Sequence, residues 1–296
     1  MPVLLNILGL AGIYGLFAIG LTLIFGVLEV LNMAHAATFA FAAIFAMYAV
    51  TEWHVDLWQG CLMAVVAGGA LGIMTDRLAF WPLRGRITSA WGRHIGPLLT
   101  SLAVATIVQG LDLSWFGFDP RHFPNEMLPT GYFVIGGQRI TTLSLIILGI
   151  FLIVVTALTL LVAKTRWGVE IRAIAERSET AALFGIDTER RFIETMGLAG
   201  LMAGMAGVAW GLTFNIAMPE TASQIDVKGF ALIILGGMGS IPGSLLGALI
   251  IAAVEVLGAL WLPIGAQALV VFAVLFVLLV ARPQGLLGRR LVAGAR

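Results

Sequence analysis

The sequence predicts an all-α fold, a polytopic membrane protein with about 8 transmembrane helices, some of them broken or re-entrant. Three observations predict it. The chain is 60% hydrophobic and 11% charged, less than half the charge of an ordinary soluble domain, so it has too little polar surface to cover itself in water. Apolar runs long enough to cross a bilayer recur along it, Thr141 to Ala163 without a single charge. Its cations are bunched: of the 17 Lys and Arg residues, all but Arg121, Arg139 and Lys228 fall in 77–93, in 164–191 or in the C-terminal tail from Arg282. Residues 1–296 read as a single transmembrane domain. A net charge of +1 argues against nucleic acid as a partner, and the single Cys61, in an apolar run, reads as a small core residue.

The spans follow in order. Val3 to Val27 is too long and lacks the basic start of a signal peptide, so it reads as a retained first span. Either Gly9 with Gly12 or Gly12 with Gly15 gives it a face for close helix contact. Glu29, Asn32 and His35 interrupt the apolar sequence before Ala36 to Val50. The next spans are Leu57 to Met74 and Pro97 to Phe116, separated by a loop carrying Arg77, Arg84, Arg86 and Arg93. Pro120, Pro124, Pro129 and Gly136-Gly137 mark 119–138 as an irregular loop or hairpin. Thr141 to Ala163 and Ile193 to Phe214 flank a charged island. Lys228 to Leu235 is too short to cross as a helix, and Leu245 to Leu262 and Ile264 to Ala281 complete the set.

Lys and Arg concentrate on the cytoplasmic side of membrane proteins. That rule places the 77–93 loop, the 164–191 loop and the C-terminus in the cytoplasm, and parity places 51–57, 117–140 and 214–227 outside together with the N-terminus. The segment 228–262 then makes an even number of crossings, as two spans or as a re-entrant half-helix plus turn.

Trp167 to Gly185 is a charged stretch between apolar runs and must lie in water. Ile171, Ile174, Ala175, Ala181, Ala182 and Leu183 recur at helical spacing and Gly185 supplies a stop, predicting a short helix that lies across the membrane surface and docks on a soluble partner.

Two breaks inside apolar sequence bear on function. Gly20 to Gly26 leads into Glu29, Asn32 and His35, and Gly229 to Gly236 leads into Gly237, Gly239, Ser240, Pro242 and Gly243. Unwound backbone at membrane depth is stable only beside a polar cavity or within protein, so paired breaks point to a translocation path lined by Asn32, His35, Gly236, Gly237, Gly239, Ser240 and Pro242. The rival readings are interfacial turns and a helix-packing seam. A carboxylate at bilayer depth costs about 2.5–3.5 kcal/mol on insertion scales, so Glu29 is expected near the cytoplasmic surface and Glu255 in a helix–helix hydrogen bond. His35 is read as a hydrogen bond to backbone, with a proton relay as the alternative.

The chain has no phosphate-binding Gly-x-x-x-x-Gly-Lys-Ser/Thr loop, no His-Glu-x-x-His and no metal-spaced Cys/His cluster. If it pumps, its energy comes from another subunit; a secondary transporter and a channel or assembly protein are the other classes its composition permits. From end to end, however, the sequence resembles the LivH-type integral-membrane permeases of branched-chain amino acid ABC importers. The resemblance is carried by Asn32-Met-Ala-His35, by 76–84, by Arg172 to Glu176, by Gly185-Ile-Asp-Thr188, by Leu235 to Gly243 and by Pro283-x-Gly285-Leu-Leu-Gly288. It departs at Glu29 and Ala36, where those permeases usually carry Gly. The resemblance implies a bacterial inner-membrane importer subunit, no enzyme and without a cofactor of its own, ATP being bound by two cytoplasmic ATPase partners. It further implies a second related permease subunit and a periplasmic substrate-binding protein. Glu179-Thr-Ala181-Ala182-Leu-Phe-Gly185 is similar to the loop that couples such permeases to their ATPases, with Thr180 in place of the first Ala. Close relatives also carry urea, short amides and aromatic acids, and no residue chooses among these substrates.

Overall fold

The computed structural model describes residues 2–84, 90–129, 131–135, 138–282 and 284–288; Arg86, Gly136-Gly137, Pro283, Arg289, Arg290 and Arg296, singled out above, lie outside them. The chain forms α1 (Pro2–Leu28), α2 (Ala34–Glu52), α3 (Leu57–Thr75), α4 (Ala90–Phe116), strands β1 (Tyr132–Ile135) and β2 (Gln138–Thr141), α5 (Thr142–Lys164), α6 (Arg166–Glu176), α7 (Ser178–Leu183), α8 (Thr188–Phe214), α9 (Thr221–Gly236), α10 (Ile241–Trp261) and α11 (Ile264–Ala281). Among the described residues seven helices are long and apolar enough to cross a membrane. The antiparallel strands pair Tyr132 with Thr141, so the Pro-rich stretch does end in a hairpin.

The two ends of the bundle are distinct. At one, Val27 of α1 packs on Ile171, Ile174 and Ala181 of the island, Arg84 reaches Glu189, and Gly26 meets Gly239. At the other, Arg121 pairs with Glu52 at 3.0 Å and exchanges backbone hydrogen bonds with Ala217. Between them α1, α2 and α8 form a largely buried centre, and α3, α4, α5 and α10 form an outer shell that turns most of its apolar surface outward. In lipid that exposed surface is already solvated, so close backbone approach must hold the helices together. One such seam joins α3 and α8, where Gly68 and Gly72 meet Gly200 and Gly204; a Cβ on Gly68 would stand 2.9 Å from the Gly200 carbonyl. On α1 the face in use is Gly12 with Gly15, against the Phe151 ring, while Gly9 faces open space.

Most helices run past their apolar limits. Below Thr75, α3 continues through a π turn (Asp76–Phe80) and a 3₁₀ turn (Trp81–Leu83), and α8 begins at Thr188, capped by the Asp187 side chain on Arg190 N–H. The largest difference from expectation is at α9. It starts at Thr221 rather than Lys228, and its 16 residues span about 24 Å. It runs from the hairpin end to the turn beside Gly26, and α10 returns, so 228–262 is part of a pair of antiparallel helices and not a half-helix. Hydropathy hid the first two turns of α9 because Thr221, Ser223, Gln224 and Asp226 make them polar. Lys228, one of the three cations outside the clusters, lies in mid-helix.

Candidate functional sites: the docking helix and the two breaks

The island folds as two helices, α6 and α7, where periodicity predicted one. Arg177 takes an extended conformation between them (φ −158°, ψ 105°) and Gly185 ends the second at φ 84°. Thr165 caps α6 through Gly168 N–H at 3.2 Å, and Arg172 donates to the Val162 carbonyl. Arg191 of α8 bridges Glu170 of α6 and Glu194 on its own helix, and Trp167 Nε1 donates to Glu194 at 2.9 Å. Nearby, Arg84 bonds both the buried Asp76 and, at 2.8 Å, Glu189. These ion pairs, with Ile171, Ile174 and Ala181 buried under Val27, fix the island on the end of the bundle.

Of the four expected coupling residues, Glu179, Ala182 and Gly185 are exposed, whereas Ala181 turns inward. The side chains that stand out are two not counted among those four: Leu183 is 88% and Phe184 84% exposed. Burying either on a partner would contribute about 1.5–3 kcal/mol.

At the first break α1 ends with Glu29 in the left-handed region (φ 55°). The chain is then pinned by three bonds: Asn32 Oδ1 accepts from Ala34 N–H at 3.0 Å, Ser101 Oγ accepts from Met33 N–H at 3.1 Å, and His35 N–H reaches the Asn32 carbonyl at 3.4 Å. His35 is buried and its Nε2 bonds the Phe17 carbonyl at 3.1 Å, the hydrogen bond to backbone expected of it.

The second break is a tight turn between packed helices. Gly237 and Gly239 have φ 100° and 80°, Ser240 Oγ caps α10 at Gly243 N–H, and Pro242 occupies its first turn. Gly236 lies backbone to backbone with Gly243, and the C-terminal segment closes over the turn through Leu286 N–H to the Leu235 carbonyl and Leu287 N–H to the Gly236 carbonyl. Gly236 and Gly237 are buried in this seam while Gly239 and Pro242 are exposed. Both breaks lean on α1, His35 at Phe17 and Gly20 and Gly239 at Gly26, which sets them at different depths along it. Sequence also missed the pairing of Lys228 with Glu255 at 2.7 Å; separated by 27 positions, it leaves no local signal.

Broken helices packed through glycine, a central α1–α2–α8 core and a rigid surface platform define a multi-pass membrane transport subunit. Residues 3–280 match the family described as branched-chain amino acid transport system, permease component, and the chain belongs to that family. Among similar proteins are the high-affinity branched-chain amino acid transport system permease proteins LivH of Salmonella typhimurium and of Escherichia coli. Each is 29% identical over 294 residues, covering 95% of this chain and 92% of the relative. BraD of Pseudomonas aeruginosa, with the same description, is 28% identical over 299 residues, covering 97% and 95%.

Proposed function

We propose that this chain is the membrane-spanning subunit of an ATP-driven importer that carries branched-chain or other hydrophobic amino acids across the bacterial inner membrane. The relatives, of which it covers 92–95%, are described as permease proteins of high-affinity branched-chain amino acid transport systems. The observation that carries the coupling is α7. A platform held by the Arg191 and Arg84 ion pairs offers Leu183 and Phe184, with Glu179, Ala182 and Gly185 around them, to a soluble protein. That protein is the ATPase: two such subunits bind and hydrolyse ATP, and their movement reaches the bundle through Ala181 and Val27 into α1. A second permease completes the pathway and a periplasmic binding protein delivers the substrate. In this reading the island and the C-terminus are cytoplasmic, in keeping with Arg77, Arg84, Lys164, Arg166, Arg172, Arg177, Arg190, Arg191 and Arg282 gathering toward one end.

The test is uptake of radiolabelled leucine, isoleucine and valine by cells or vesicles holding the complete transporter. ATP depletion with the ion gradients held stops uptake if the reading is right. Uptake that continues on the gradients alone would make the chain a secondary transporter.

A further inference from the structure

Tyr14, Lys228 and Glu255 come from α1, α9 and α10 and close a ring of hydrogen bonds. Lys228 Nζ donates to Glu255 Oε1 at 2.7 Å and to Tyr14 Oη at 2.9 Å, and Tyr14 Oη donates to Glu255 Oε2 at 2.7 Å. The ring sits deep in the bundle. Tyr14 is about 18 Å along α1 from Pro2 and about 21 Å from Leu28, and Lys228 is at the middle of α9. Full charges at that depth are rare in membrane proteins and mark solute routes more often than lipid-facing surface. Nor is the ring sealed: the Lys228 and Glu255 side chains keep 21% and 22% of their surface open, and Lys228 uses two of its three N–H donors in it.

An aromatic run leads to it from the hairpin end. Phe214, at the end of α8, is 46% exposed; its ring lies 4.2 Å from Trp210, and Trp210 stacks on Tyr14 at 6.5 Å. Apolar rings at the mouth and a paired cation and anion at mid-depth match a zwitterion with an apolar side chain. Without solute the two charges neutralise each other. A passing amino acid can exchange into the pair, its ammonium on Glu255 and its carboxylate on Lys228, with no charge left uncompensated at any stage.

We propose that Tyr14, Lys228 and Glu255 form a mid-membrane subsite for the charged end of the transported amino acid, with Trp210 and Phe214 as its apolar wall. The proposal rests on the permease reading above and names where the solute is held.

The double variant Lys228→Met/Glu255→Leu tests it, because an apolar pair of similar volume commonly replaces a buried ion pair without loss of folding. The variant should accumulate in the membrane and retain its ATPases on purification, while uptake of radiolabelled leucine falls at least about tenfold, the effect of losing one strong polar contact. Uptake within about twofold of wild type would overturn the subsite. A second measurement leaves the ring intact and decides the matter even if the double variant fails to fold: Phe214→Cys in a Cys61→Ser background, labelled with a water-soluble thiol reagent. Leucine supplied with the binding protein and ATP should slow that labelling. Labelling indifferent to leucine, or none at all, overturns the proposal. Wild-type uptake in the same vesicles separates the two levels, since an inactive wild type removes the permease reading and the subsite with it.

Discussion

His35 occupies the space that Gly20 leaves empty: a Cβ on Gly20 would come within 2.7 Å of the imidazole Cε1, and the same ring bonds the Phe17 carbonyl one turn earlier. This contact fixes how the N-terminal end of α2 enters the bundle beside α1. Gly20→Ala should therefore destabilise the protein by about 1–3 kcal/mol through overpacking. In a His35→Ala background the same change should cost clearly less, giving a coupling energy above about 0.5 kcal/mol in a double-mutant cycle of thermal or denaturant unfolding in detergent. Strict additivity would show that the two residues do not share this contact.

Glu29 holds a left-handed backbone conformation that costs a residue with a Cβ about 1–2 kcal/mol. It is exposed and its side chain enters none of the bonds that pin the break. Glu29→Gly should raise the unfolding midpoint, and a fall would mean that the side chain is held by something other than strain.

The seam of α3 and α8 has no room for a side chain at Gly200, where a Cβ would stand 3.1 Å from Gly69 Cα and closer to the Gly68 carbonyl. Gly200→Leu should push the two helices apart and reduce accumulation in the membrane several-fold, measured by immunoblot of membrane fractions. Normal accumulation would contradict the packing described here.

Arg191 ties α6 to α8 through Glu170, beside the Trp167–Glu194 bond. Arg191→Met removes this tie and leaves Glu170 without its partner, so the island should open locally at a cost of about 1–3 kcal/mol. Faster amide exchange across 166–176 with no change in the centre of the bundle is the expected signature; uniform exchange across the chain would show the ion pairs to be dispensable.

Legibility in the sequence followed the physics of each region. Apolar length gave the spans and cation clustering gave the two ends, because the bilayer imposes both over long stretches. The polar turns that start α8 and α9 were invisible to hydropathy, and the pairing of Lys228 with Glu255, far away in the chain, left no local signal. Within the island, spacing read Ile171 to Leu183 as one helix, whereas the extended Arg177 divides it into α6 and α7. Ala181 and Leu183 lie on opposite sides of α7, about 200° apart, so Ala181 points in and Leu183 points out. The Glu29 position is instructive in reverse: Gly is usual there among the permeases the sequence resembles, and φ 55° supplies the reason. At the second break the glycines were legible, and they form the backbone seam that was one of the sequence readings, closed by the C-terminal segment, whose part in it carried no local signal.

The most direct test of the account is the docking of α7. Leu183→Ser/Phe184→Ser alters two side chains that touch solvent and leaves Ala181, Val27 and the Arg191 ties in place. The permease should accumulate normally, while the ATPases recovered with it and the ATP-dependent uptake both fall at least about tenfold, as expected when about 3 kcal/mol or more of apolar burial is lost from an interface. Wild-type recovery of the ATPases with undiminished uptake would contradict the central claim that this platform carries the coupling.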